Sequence, residues 1–121
     1  MLTSAPPAQE LQPAPDLEKA AIDGSEVQRH IDWLRAATPG DVVERTAREL
    51  RDGASEAALW AAGAITAARY INNQAHNLLG FVSHAAIGCQ DARQLAAGQP
   101  DRTRWLLLSQ ALSQVVFDIH D

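Results

Sequence analysis

The sequence predicts an all-α protein, an irregular helical bundle of about four to five helices behind a disordered, proline-rich N-terminal tail. Three observations point there. Alanine makes up about a fifth of the chain, which favours helix on intrinsic propensity. Apolar residues recur at helical spacing. Aromatic residues are only 5% of the chain, and β-branched residues are sparse as well, so strand formers are in short supply.

Residues 1–15 hold four of the six prolines, at positions 6, 7, 13 and 15, with few large apolar groups. Proline fixes φ and donates no hydrogen bond, so this stretch reads as an extended or disordered tail. Residues 16–121 are expected to form one helical domain. At 121 residues the chain suits a single compact core, not two. Asp16 is placed to cap a short helix, LEKAAID, that Gly24 would close.

Ser25 followed by Gln28 fits a capping box, after which Val27, Ile31 and Leu34 share one face of a helix ending near residue 37. Trp33 widens that face. Thr38-Pro39-Gly40-Asp41 is a second start signal, with Thr38 as cap and Pro39 at the first helical position. Val43, Ala47 and Leu50 then repeat at helical spacing, and Asp52-Gly53 is the stop. Residues 25–52 hold 11 of the 25 charged residues, the densest charge in the chain, and these two helices are expected to form an outer layer.

Ser55 caps the next segment, and no proline follows until Pro100. A single helix over residues 54–97 would be about 65 Å long at 1.5 Å per residue. That is about twice the diameter of such a domain, so a break is expected between residues 71 and 77, where Asn72-Asn73 tolerate turn conformations. Gly98-Gln99-Pro100-Asp101 reads as a connection. The last helix carries a broad apolar stripe of Trp105, Leu108, Leu112, Val115, Val116 and Ile119. Because the stripe runs on into VFDIHD without a stop signal, the chain is expected to be the N-terminal part of a longer protein or to end on a docked helix. Self-association, or packing against a further protein region, is expected through Trp105, Leu108, Leu112, Val116 and Ile119.

A net charge of −5 argues against a general phosphate-backbone binder, which relies on clustered Lys and Arg. No nucleic-acid partner is expected. No window reaches 18 consecutive apolar residues and the N-terminus lacks a secretory pattern, so no membrane partner is expected either. The lone Cys89 cannot form an internal disulfide, which fits a reducing, cytoplasmic setting.

The stretch RYINNQAHNLLGFVSHAAIGC holds the candidate site. On a helix, Trp60, Ala64, Ala67, Leu78, Val82 and Cys89 fall on one side. Thr66, Arg69, Asn72, Asn73, His76, Ser83 and His84 fall on the other. Between Glu56 and Asp91 the only formal charge is Arg69, whereas other polar faces of this chain are written with Glu, Asp and Arg. Amides, hydroxyls and imidazoles can be satisfied inside a protein where unpaired charges cannot. The stripe is therefore either a solvated face or the wall of a polar pocket.

His76 and His84 are the candidate catalytic residues, because imidazole transfers protons or binds metal near neutral pH. Arg69, Asn72, Asn73 and Ser83 are the candidate ligand-binding residues, with Arg69 able to pair with an anion or close a structural bridge. No metal site is assigned. His76, His84 and His120 could contribute to one, but on a continuous helix the first two lie about 12 Å apart, too far to share an ion. No cofactor is assigned. Cys89 is expected to be a small buried hydrophobe.

The expected function is a non-catalytic helical packing or interaction module, or a fragment of a larger protein. The alternative is a small-molecule or metal-dependent enzyme, of oxidoreductase or hydrolase type, with a polar pocket lined by residues 69–84.

Overall fold

The computed structural model describes residues 22–70 and 84–120, with the side chains of 84–87 left out. All regular structure among these residues is helical. Helix α1 spans Gly24–Ala36, a short 3-10 turn covers Pro39–Asp41, and α2 follows as Val42–Arg51. Helices α3 (Glu56–Tyr70), α4 (His84–Ala96) and α5 (Asp101–His120) are the remaining helices among the described residues.

The helix boundaries follow local chemistry. Asp23, not Ser25, caps α1: its carboxylate accepts from the Ser25 amide at 2.9 Å and the Ser25 hydroxyl at 2.7 Å. Gly24 is thus the first residue of α1 rather than the end of an earlier helix. The proposed helix after Asp16, like most of the expected tail, lies outside the described residues. Thr38 and Pro39 open the 3-10 turn as expected, although the Thr38 hydroxyl bonds the Asp41 carboxylate instead of the backbone.

Helix α2 closes in a Schellman arrangement. The amide of Gly53 donates to Leu50 O at 3.1 Å, and that of Ala54 to Glu49 O at 2.9 Å. Gly53 has φ +97, a conformation that costs glycine little and other residues more. Ser55 caps α3 through a 3.2 Å bond from the Ala58 amide to its hydroxyl.

Helices α3 and α5 form the centre, and α4 packs on both. Helix α1 lies on α3, and α2 lies on α5. Two anchor points fix the register of the central pair. Glu56 meets Arg104 and Trp105 at one end, and further along a Cβ on Gly63 would lie 2.6 Å from Leu112 Cδ2. Equal steps along both chains make α3 and α5 parallel. The same Cβ would lie 3.2 Å from Cys89 Sγ on α4. In one continuous helix Gly63 and Cys89 would be about 39 Å apart, so α3 and α4 are separate helices packed against each other. The exact position proposed for that break falls outside the described residues.

Gly63 is where three helices meet. Its missing side chain, with Ala58, Ala62 and Ala67 also buried on α3, lets Leu112 and Cys89 approach closely. Leu34, Leu59, Leu108, Leu112, Val115 and Val116 have no exposed surface and fill the core. Burying each such side chain contributes about 1.5–3 kcal/mol relative to leaving it in water.

The apolar stripe of α5 is therefore consumed within this chain. Leu108, Leu112 and Val116 have no exposed surface, while Trp105 and Ile119 are partly buried against the same core. On α2 the expected face shifts by one residue. Val42, Thr46, Glu49 and Leu50 are buried, whereas Val43 is exposed. The shift arises because α2 meets α5 along its edge, leaving the Val43 and Ala47 side open as one wall of a groove. The two charged N-terminal helices do form the outer layer, but Glu49 and His30 within them are buried.

Candidate functional site

The parallel register gathers several residues of the predicted site at one end of the bundle. Arg69 sits in the last turn of α3 and His120 in the last turn of α5, so both lie at the end remote from Glu56. With Cys89 beside Gly63 and its own C-terminus leading into α5, α4 runs back from that end, which is where His84 begins it. Arg69 and His120 are exposed. Thr66, one turn before Arg69, has no exposed surface, and its hydroxyl has no hydrogen-bond partner among the described residues. Asn72, Asn73, His76 and Ser83 lie outside the described residues, as does the His84 side chain. Among the described residues no group of three or more His, Cys, Asp or Glu side chains is arranged to hold a metal ion.

Cys89 is buried, as expected, and its burial pushes the thiol pKa up to about 11. At neutral pH it is a protonated, apolar group, not a nucleophile.

Two buried polar clusters stand elsewhere. The first joins α1, α2 and the start of α3. His30 has no exposed surface. Its Nε2 lies 3.0 Å from Glu26 Oε2, and its Nδ1 accepts from Trp33 Nε1 at 2.9 Å. Glu26 Oε2 also accepts from the Ser55 amide at 2.8 Å, tying α1 to the start of α3. From α2, Glu49 accepts from Arg29 Nη1 at 2.8 Å and from Arg45 Nε at 3.0 Å. The Arg45 guanidinium lies 5.0 Å from the Trp33 ring centroid, within cation–π range.

These bonds shape the acids. Burial on its own would raise the pKa values of Glu26 and Glu49. Hydrogen bonds from His30 and the Ser55 amide outweigh it at Glu26, and those from Arg29 and Arg45 outweigh it at Glu49, so both are lowered. The α1 and α2 backbones do not pack closely along their lengths, so long side chains such as Arg29, Arg45 and Glu49 join them.

The second cluster ties the starts of α3 and α5. Arg104, only 4% exposed, holds Glu56 in a paired fork, Nε to Oε2 at 3.0 Å and Nη2 to Oε1 at 2.9 Å. It also donates to Gln99 O at 2.6 Å and to the Asp101 carboxylate. Trp105 Nε1 donates to Glu56 Oε1 at 2.9 Å. The ionic groups of this cluster are committed to one another, so it serves architecture and presents no free acid or base.

Between α2 and α5 an open apolar groove of about 660 Å³ remains. Val43, Ala47 and Leu50 form one wall, and Trp105 and Leu106 the other. Val43 is 53% and Leu106 54% exposed. Asp101 and Arg102 stand at one end. There the exposed charge of Arg102 is matched by Asp101, because Arg104 is shared between Asp101 and Glu56.

Sequence reasoning passed over His30, Glu49, Glu56 and Arg104. A signal existed for the first: Glu26, His30 and Trp33 share the face of α1 that carries Val27, Ile31 and Leu34, at spacings of four and three residues. No such signal existed for Glu56 and Arg104, which are 48 residues apart. Among the described residues no helix is long and apolar enough to cross a membrane. No protein-family model, no curated protein and no solved structure matches this chain.

Proposed function

We propose that this chain is a non-catalytic helical interaction module that receives an amphipathic helix of a second polypeptide in the groove between α2 and α5. The observation that carries the reading is the exposure of Val43 and Leu106 on facing walls of one apolar groove, whereas the other exposed large hydrophobics, Ile22, Leu95 and Phe117, do not line it. Large aliphatic side chains left open on both sides of a groove are what helix-in-groove recognition uses. A volume of about 660 Å³ has room for a row of apolar side chains from one face of a helix. Its walls carry few polar groups, which disfavours a small molecule that must be oriented by hydrogen bonds.

A designed peptide tests this: a 15-residue helix with leucines spaced at i, i+3, i+4 and i+7 and glutamates on its other face. Added to isotope-labelled protein, it is expected to shift the resonances of Val43, Ala47, Leu50, Trp105 and Leu106 and to leave those of α4 in place. The double variant V43D/L106D should abolish the shifts while the helical circular dichroism is unchanged. Shifts spread over the whole chain, or equal shifts in the double variant, would overturn the reading. Self-association through the same groove is a separate outcome, read by light scattering. A dimer that L106D dissociates would replace the foreign partner with a second copy.

A further inference from the structure

We infer that the junction of α1, α2 and α3 contains an acid-sensitive device, in which proton binding by His30 exchanges its Trp33 partner on α1 for Glu49 on α2. The argument rests on donors and acceptors. An indole N–H can only donate, so the 2.9 Å bond from Trp33 Nε1 assigns Nδ1 of His30 as an unprotonated acceptor. The ring proton then sits on Nε2, facing Glu26 Oε2 at 3.0 Å. The neutral imidazole is thereby held in one tautomer from both sides.

A second proton has one place to go. Bound at Nδ1, it would face the Trp33 N–H donor head on, and that bond must break. A carboxylate stands within reach of the new Nδ1–H: Glu49 Oε1, 3.9 Å away. A small rotation of the ring closes that gap to a charge-assisted hydrogen bond. The charged groups facing His30 are Glu26 on its own helix and Glu49 on α2; Arg29 and Arg45 are one step removed, paired with Glu49, and α3 contributes the Ser55 amide, through Glu26. The imidazolium would therefore have a carboxylate on the side of each ring nitrogen. Because Glu26 and Glu49 are held below the ordinary glutamate range, both remain anionic as the solution first turns mildly acid.

The exchange would be felt beyond the ring. Trp33 is anchored by His30 and by the Arg45 guanidinium, and its ring lines a cleft of about 350 Å³ with Arg45 and Arg48. Losing the His30 acceptor frees the indole toward that cleft. Since α1 and α2 are joined by these side chains rather than by close backbone packing, their joint is the part of the fold that would respond.

Nitrogen-15 NMR of the whole chain, from pH 8 to pH 4.5 with far-UV circular dichroism alongside, tests the inference. At pH 8 the His30 ring is expected as the Nε2–H tautomer. As pH falls, its two nitrogens should move to the imidazolium pattern, the Trp33 Nε1–H resonance should shift with the same midpoint, and the helical signal should stay constant. Glu49→Gln should move the transition to lower pH by removing the charged acceptor. Trp33→Phe should move it to higher pH by removing the donor that favours the neutral ring. Finding the Nδ1–H tautomer at pH 8, a Trp33 signal that stays put while His30 titrates, or a transition that coincides with loss of helix would each overturn the inference.

Discussion

Replacing Glu56 by alanine isolates what the second buried cluster does for the fold. Glu56 accepts three hydrogen bonds, two from Arg104 and one from Trp105. Breaking one side of a buried pair typically costs about 3–5 kcal/mol, most of it the penalty of the charge left behind. Here Arg104 keeps the Gln99 carbonyl and Asp101, which points to the lower end, about 3 kcal/mol. Loss of a carboxylate in the first turn of α3 adds up to about 1 kcal/mol through the helix dipole. Urea unfolding followed by circular dichroism should therefore show about 3–4 kcal/mol of destabilisation, or roughly 10–15 °C in Tm for a domain of this size. The partner variant R104M should be costly alone. The double variant E56A/R104M should recover part of the loss, because no unpaired charge remains. A loss below about 1 kcal/mol for E56A would refute the reasoning, since that is the value of an exposed ion pair; strictly additive losses in the double variant would refute it too.

Two more outcomes follow from the same geometry. Hydrogen bonds hold the folded pKa values of Glu26 and Glu49 below the ordinary glutamate value of about 4.5. The unfolded chain therefore binds more protons in the intervening range, so their contribution is complete above about pH 4.5 and is lost as pH falls through the folded values. Urea midpoints measured from pH 7 down to pH 3 should drop in that acid window, and the drop should shrink in E49Q. Gly63→Ala should destabilise by up to about 2 kcal/mol, because overpacking against the fully buried Leu112 at about 1–3 kcal/mol exceeds the roughly 1 kcal/mol gained in helix propensity; urea unfolding of G63A, with G63A/L112V expected to recover part of the loss, checks it.

Much of the helical plan was legible because it depends on near neighbours. Thr38-Pro39 and Gly98 to Asp101 mark real boundaries, since proline and glycine act through their own φ angles and need no distant partner. The α5 stripe was legible as apolar for the same reason. Whether it served this chain or another was not, because that depends on α3 arriving beside it in parallel register. The face of α2 was misread by one residue because Val42-Val43 offers two apolar positions in a row, and periodicity alone cannot choose between them. Residues 69–84 stood out in the sequence by their lack of charge; of the candidates there, only Arg69 and the backbone of His84 fall among the described residues.

The sequence by itself determined which segments are helical, that the bundle is wound from amphipathic pieces, and that Cys89 belongs inside. These properties reside in propensity, capping and period, all set within a turn or two of chain. Only the tertiary structure decided that His30 is buried between Glu26 and Trp33, that Arg104 closes on Glu56 across 48 residues, and that Val43 and Leu106 face an open groove instead of the core. Each of those depends on which helices become neighbours and in what register. That is set by the summed burial of Leu59, Leu112, Val115 and their contacts, with Gly63 permitting the close approach, and not by any local stretch of residues.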